Sequence, residues 1–179
     1  MRLFKLLVIA IIVGSAYLYA KQHSNDSDKW QTVTTPSGIS IQFPQQPISK
    51  SLQRDIPTLG RINLMTYQSA QDNHIFILLL ASPSERSNQQ KDIQRSNLHD
   101  LEVAIHAIND TTQLTITDKR AFILQSHPGL EYKATNPHGA VVWCRTVKIG
   151  NQLLSIIYGS SNPDQDNRLR DSFFQSFHL

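Results

Sequence analysis

Cysteine is nearly missing from this chain of 179 residues, which has one, Cys144. A lone thiol closes no disulfide within the chain, excludes a cysteine-rich zinc module, and leaves no lipid-attachment cysteine just after the apolar N-terminus. Two roles remain open for it: a small apolar core position in a strand, where free cysteines commonly lie, or a reactive thiol. Glycine is also sparse, with seven residues, and no glycine-rich loop sits between a strand and a helix to cradle a phosphate. A G-x-S-x-G nucleophile elbow is missing. Ser126 and His127 are sequence neighbours before Pro128, which does not make them a pair in space.

Clustered charge is missing too. The formal charge is +3, but Arg2 and Lys5 belong to the N-terminal segment, and from residue 21 onward fifteen basic side chains face fourteen acidic ones. No run of Lys or Arg is left to follow a phosphate backbone, so nucleic acid is not an expected partner. Internal repeats and low-complexity tracts are absent. The length suits one domain with a real core better than two.

What is present begins with an apolar run over residues 3–20, preceded by Arg2 and interrupted by Lys5. Positive charge before an apolar segment keeps the N-terminus in the cytoplasm and sends the rest across the membrane. The run reads either as a cleaved signal peptide or as a short membrane anchor. Both deliver the following residues to the outer side of the cytoplasmic membrane, as a periplasmic or extracytoplasmic domain. Residues 21–29 are a polar linker, and residues 30–179 a single globular α+β domain.

Within that domain, Ala140–Gly159 holds two runs rich in Val, Ile, Thr, Trp and Tyr around Gly150-Asn151, a hairpin signature. Downstream, Asn162 suits a helix N-cap and Pro163 the first helical position, and Leu169, Phe173 and Phe177 form one apolar stripe. Phe174, offset by about 100°, is expected half exposed. Earlier, two short strands flank Pro36-Ser37-Gly38. The polar stretch Ser49–Gly60 signals a strand only weakly. Arg61–Ser69 and His74–Ser82 form a pair around Asp72-Asn73. The second of these is apolar on both faces, which predicts a strand inside a sheet covered on both sides. Ile93, Leu98, Leu101, Ala104, Ile105 and Ile108 follow a helical period, predicting a long helix over 88–108. Thr112–Thr117 and Arg120–Gln125 read as strands around a turn at Asp118-Lys119. Pro128-Gly129 reads as a break before Leu130–Thr135.

The expected fold class is therefore α+β, a predominantly antiparallel β-sheet flanked by helices. Three landmarks carry a resemblance: Gly38-Ile39-Ser40-Ile41-Gln42-Phe43-Pro44, Pro128-Gly129-Leu130-Glu131, and Gly150-Asn151-Gln152-Leu153-Leu154 before Phe174-Gln175-Ser176-Phe177. With the element order, they resemble the PsbP/Mog1-like α/β/α sandwich group, which includes uncharacterised bacterial exported proteins. The resemblance spans about residues 30–179. It implies a non-enzymatic accessory or binding role and supplies no catalytic residues.

Two constellations could carry chemistry. His99, Glu102 and His106 share one helical azimuth and could ligate a divalent metal. Their spacing is not the H-E-x-x-H of zinc proteases, and a solvated face is the plainer reading. Trp143 and Arg145 share a strand face with Val141, Val147 and Ile149, whereas Val142, Cys144 and Thr146 take the other. If that face is open, Trp143 and Arg145 form a recognition pair, because such side chains dominate interfaces. The plain alternative is a core Trp with Arg145 near the edge. A Cys–His nucleophile at Cys144 needs His74, His127 or His138 to approach. The expected function is a non-catalytic envelope binding or accessory component with no catalytic residue and no cofactor. Its partner is an envelope protein or membrane complex. The competing class is an envelope hydrolase or metal-dependent enzyme using the His99/Glu102/His106 stripe or Cys144.

Overall fold

Gly150 and Asn151 do form a hairpin turn. In the computed structural model, which describes residues 30–56, 60–84, 114–162 and 167–179, Gly150 has φ +57° and Ile149 pairs with Gln152 across it. Positive φ at the first of two turn residues matches the right-handed twist of the strands, and glycine adopts it without a Cβ clash. The strands so joined are β8 (Val141–Ile149) and β9 (Gln152–Ser160). β9 pairs on its other side with β5 (His74–Pro83), then come β4 (Gly60–Gln71) and the edge strand β3 (Ile48–Ile56). Beyond β8 lie β7 (His127–Thr135) and the opposite edge strand β6 (Thr115–Leu124). All pairings in this seven-stranded sheet are antiparallel.

One face of the sheet is sealed by a second layer. β1 (Gln31–Thr34) and β2 (Ser40–Phe43) form their own two-stranded sheet around Gly38, φ +84°. The helix α1 (Asn167–Gln175) lies beside β2 and β9. Ile39, Ile41 and Phe43 from the small sheet and Phe173, Phe174 and Phe177 from the C-terminal segment bury against Phe76, Leu78, Leu80, Leu154, Ile156 and Tyr158. Phe173 is fully buried between the rings of Phe43 and Phe76, with centroids at 5.4 and 5.2 Å. The last residues continue the layer. His178 bridges to Ser40 through two backbone hydrogen bonds of 2.8 and 2.9 Å, extending the free edge of β2.

The other face carries Ile75, Ile77, Leu79 and Ala81 of β5, all half-buried, and a fully or nearly buried group of Leu130, Tyr132, Ala134 and Cys144. The expected helix over 88–108 lies outside the described residues, as does Pro163. The described residues are mainly β, with α1 as their helix, and do not by themselves make an α/β/α sandwich.

One weak strand signal proves stronger than read, and three sequence expectations are corrected. Ser49–Gly60 contributes a nine-residue strand, β3, whose polar side chains reflect its place at a sheet edge. Asp118-Lys119 is no turn: β6 runs through it with a bulge between Ile116 and Asp118. The turn falls at Gln125-Ser126, where both residues hold positive φ, +47° and +73°. Pro128-Gly129 does not break the chain but sits inside β7. Leu124 and His127 close a two-residue hairpin and exchange hydrogen bonds. Pro128, next along and opposite Ile123, therefore needs no N–H toward β6. A Cβ on Gly129 would lie 2.6 Å from both Phe122 and Val147 and 2.7 Å from the Thr146 carbonyl, so that position admits only glycine. Phe174, finally, is buried rather than half exposed.

A cation–aromatic surface as the candidate functional site

The sheet register arranges side chains in rows that cross the strands, and three rows on the α1 face build the candidate site. In the first two, charged groups of β6 and β7 lead into the apolar centre at β9 and β5; the third is apolar throughout. The first row runs Asp118, Lys133, Trp143, Tyr158, Phe76. The second runs Arg120, Glu131, Arg145, Ile156, Leu78, and the third Phe122, Gly129, Val147, Leu154, Leu80. Alternation puts Trp143 and Arg145 on one face, as expected from the sequence, with Cys144 on the other.

Arg145 is less available than its sequence position suggested. Its Nε donates to Glu131 Oε2 at 2.5 Å, and its guanidinium lies 4.5 Å from the Phe174 ring centroid and 5.7 Å from that of Phe122. Glu131 also accepts from Arg120 Nε at 2.8 Å and from Arg120 Nη2. Burial pushes the Glu131 carboxyl up, but the guanidinium hydrogen bonds from Arg145 and Arg120 outweigh it and hold the group below its ordinary value. Arg145 is thus a neutralised, ring-covered cation that seals Phe174.

Trp143 faces a different setting. Its ring packs on Tyr158 with centroids 5.7 Å apart, while Lys133 Nζ and Arg170 Cζ approach it to 5.5 and 5.2 Å. Trp143, Lys133 and Arg170 are each half-buried, so one end of each reaches solvent. Cations held over an aromatic face lose little freedom when a partner engages them. The candidate pair thus widens to a candidate trio, Lys133, Trp143 and Arg170, with Arg145 behind it; Arg170 is itself paired with the exposed Asp171 at 2.8 and 2.9 Å. Lys133, Glu131 and Arg120 had no sequence signal beyond strand alternation, because they reach Trp143 and Arg145 only through the register, and Arg170 reaches Trp143 only through the packing of α1 on the sheet.

On the opposite face, Cys144 is fully buried, with its Sγ 3.4 Å from Thr146 Oγ1, which is 2.8 Å from Ser155 Oγ. Burial drives its thiol up to about 11, against the pull of hydrogen bonds from Thr146, Tyr132 and Ser155. The Tyr132 phenol is likewise pushed up, by burial first and then by Cys144. His74 and His127 lie on the α1 face, across the sheet from the thiol, and His74 Nδ1 is 2.7 Å from the Tyr158 hydroxyl. His138 sits exposed in the loop between β7 and β8. His99, Glu102 and His106 lie outside the described residues. Among the described residues, no group of three His, Cys, Asp or Glu side chains is placed to hold a metal ion. Nor is any described helix long and apolar enough to cross a membrane, and residues 3–20 are outside that set.

Comparison with solved structures finds the same architecture elsewhere. The solution structure of cyanobacterial PsbP (CyanoP) from Synechocystis sp. PCC 6803 superposes with a TM-score of 0.54, covering 84% of this chain and 92% of that one at 12% identity. The fold is PsbP-like. At that identity the likeness extends to the fold and not to an activity. A crystal structure of a Pseudomonas aeruginosa protein of unknown function, PA94, overlays at a TM-score of only 0.33, with 11% identity over 80% of this chain and 93% of that one. That overlay is too loose to establish a shared fold. No family model and no curated protein sequence matches the chain.

Proposed function

We propose that this PsbP-like domain is a non-catalytic accessory protein of the bacterial cell envelope. It works on the outer side of the cytoplasmic membrane, either anchored by residues 3–20 or released after their cleavage. Its partner is an envelope protein or membrane complex rather than nucleic acid. The observation that carries the reading is the half-exposed trio Lys133, Trp143 and Arg170 on a rigid antiparallel sheet. The row of half-buried aliphatic residues Ile75, Ile77 and Leu79 supports an α/β/α layering in which the segment 88–108 covers the second face as a helix.

The test is a photo-cross-linking residue at Arg170 in the native envelope, followed by binding of the captured partner to purified full-length chain. Trp143→Ala is expected to weaken that binding at least tenfold, as loss of a central aromatic anchor does. Unchanged affinity in a folded Trp143→Ala protein would overturn the site. One equivalent of bound metal, lost on replacing His99 and His106 by Ala, would favour a metal-dependent enzyme instead. Fractionation with a mass measurement of the mature N-terminus separates anchor from cleaved leader.

A further inference from the structure

Strand β6 ends the seven-stranded sheet, pairing with β7 alone among the described strands. An edge strand offers a row of backbone donors and acceptors to any extended segment, and proteins normally blunt it with charge, bulges or proline. Here the blunting is partial. The bulge between Ile116 and Asp118 closes one end of the strand and the Gln125-Ser126 turn closes the other. The straight window between them is residues 118–124, with Ala121 at its middle. Ala121 is exposed and Ile123 is 76% exposed, far more than any core side chain.

The hydrogen-bond phase follows from the turn. Leu124 exchanges bonds with His127 across a two-residue loop, so alternation sends the backbone groups of Phe122 and Arg120 toward β7. Those of Ala121 and Ile123 point outward. We propose that a second copy of this chain docks here, β6 against β6 and antiparallel, around a two-fold axis through Ala121.

That axis is singled out by the window's symmetry. It pairs all of residues 118–124, setting Ala121 against Ala121 of the second copy. Ile123 falls opposite Lys119 and Phe122 opposite Arg120 of the second copy, so no like charges face each other directly. An axis at Arg120 would oppose two guanidiniums across the closest strand spacing, which disfavours it. An axis at Phe122 would leave only residues 120–124 paired. A small residue at the axis and an exposed Ile flanking it suit a self-complementary contact of closed two-fold symmetry. The result is one continuous sheet through both copies, with the bulge in each β6 ending the paired window.

The experiment uses the purified full-length chain in detergent. Light scattering is expected to give a dimer mass that dissociates on dilution. Under mild oxidation Ala121→Cys is expected to cross-link to itself faster than Thr117→Cys, which lies in the bulge. Ala121→Pro removes an outward N–H that the monomer does not use, and should weaken the dimer by about tenfold or more. Ile123→Lys, a surface change that leaves the hairpin intact, should do the same and serves if the proline variant misfolds. A monomer at every concentration overturns the proposal. So do equal cross-linking rates at the two positions, or a folded Ile123→Lys protein that keeps the wild-type dimer. In a parallel oxidation of intact cells producing the variant, cross-linking of Ala121→Cys to a different envelope protein in place of itself overturns the second copy as the occupant.

Discussion

Replacing Glu131 by Gln tests whether the charged row of β6, β7 and β8 holds the sheet's end together. The carboxylate bridges two cations of unequal exposure: its own side chain is 15% exposed, that of Arg145 28%, and that of Arg120 68%. The Arg120 arm, mostly in water, contributes below about 1 kcal/mol. The Arg145 arm is a partly buried charged hydrogen bond, in the range of about 1.5–3 kcal/mol. Glu131→Gln leaves the Arg145 guanidinium over Phe174 and Phe122 without its counter-charge, so a loss of about 2 kcal/mol is expected, or about 4–8 °C in Tm for a domain of this size. The pH dependence sharpens the test. The folded-state carboxyl titrates below its ordinary 4.5, so its stabilisation is complete above that value and disappears as pH falls through the folded value. Urea unfolding of both proteins across that range should show curves that lie apart at neutral pH and converge on acidification. A Gln variant within about 0.5 kcal/mol of wild type at neutral pH, or a gap unchanged by acid, would refute the bridging role.

Gly129→Ala should cost about 1–3 kcal/mol, because the new methyl meets the Thr146 carbonyl at 2.7 Å. Gly159→Ala, whose nearest contacts are 3.8–3.9 Å, should change urea stability far less. Gln125 spans the C-terminal residues, its Nε2 donating to the Phe177 carbonyl at 3.4 Å and its Oε1 accepting from the Leu179 N–H at 2.9 Å. Gln125→Ala should lose about 1–2 kcal/mol and speed amide exchange at Leu179, whereas Gln125→Gly, which relieves the positive φ, should lose less stability at equal exchange. Phe173→Ala should destabilise by about 3–5 kcal/mol in the same unfolding assay. Native Cys144 should react with thiol reagents only as fast as the protein opens, since it is fully buried and its thiol is raised to about 11; fast labelling of folded protein would contradict its placement.

Much of the fold was legible where local chemistry and tertiary structure agree. The β8–β9 hairpin is encoded by Gly150 at a position needing positive φ, and the β4–β5 pair by Asp72, which also adopts it at +50°. The β6–β7 hairpin hid its turn because Gln125 and Ser126 lack the usual Asn-Gly character. Their conformation is instead held from outside, by the Gln125 amide on the chain terminus fifty residues away. Asp118-Lys119 carries turn-like residues yet sits at a bulge. Placing the turn there shifts every partner of β6, and with it the union of Arg120, Glu131 and Arg145. The face shared by Trp143 and Arg145 was readable from alternation alone. The hairpin placed β9 on one side of them, but the register that sets Lys133 and Glu131 beside them on the other was not readable, since it is fixed by the pairing of β7 and leaves no mark in local composition.

The two residues singled out on β8 differ in what surrounds them, and that difference favours Trp143 over Arg145 as the centre of the proposed contact surface. Arg145 lies in the row that ends at Ile156 and Leu78, and its charge is spent within the protein on Glu131 and two phenyl rings. Exposing it to a partner would first require breaking those contacts. Trp143 lies one row over, where the strand opposite contributes Lys133 instead of a carboxylate and α1 contributes Arg170. The counter-charges there are more exposed: Arg170 is paired with Asp171 at 2.8–2.9 Å and Lys133 stands opposite Asp118 in the register, so a partner carrying carboxylates would exchange with solvent-facing carboxylates rather than with the mostly buried Glu131. On the proposed reading, Lys133→Gln should weaken capture of an acidic partner at a stability cost of about 1 kcal/mol or less, from the lost cation–ring contact with Trp143. Arg145→Met should lower stability and leave capture by the folded fraction nearly intact.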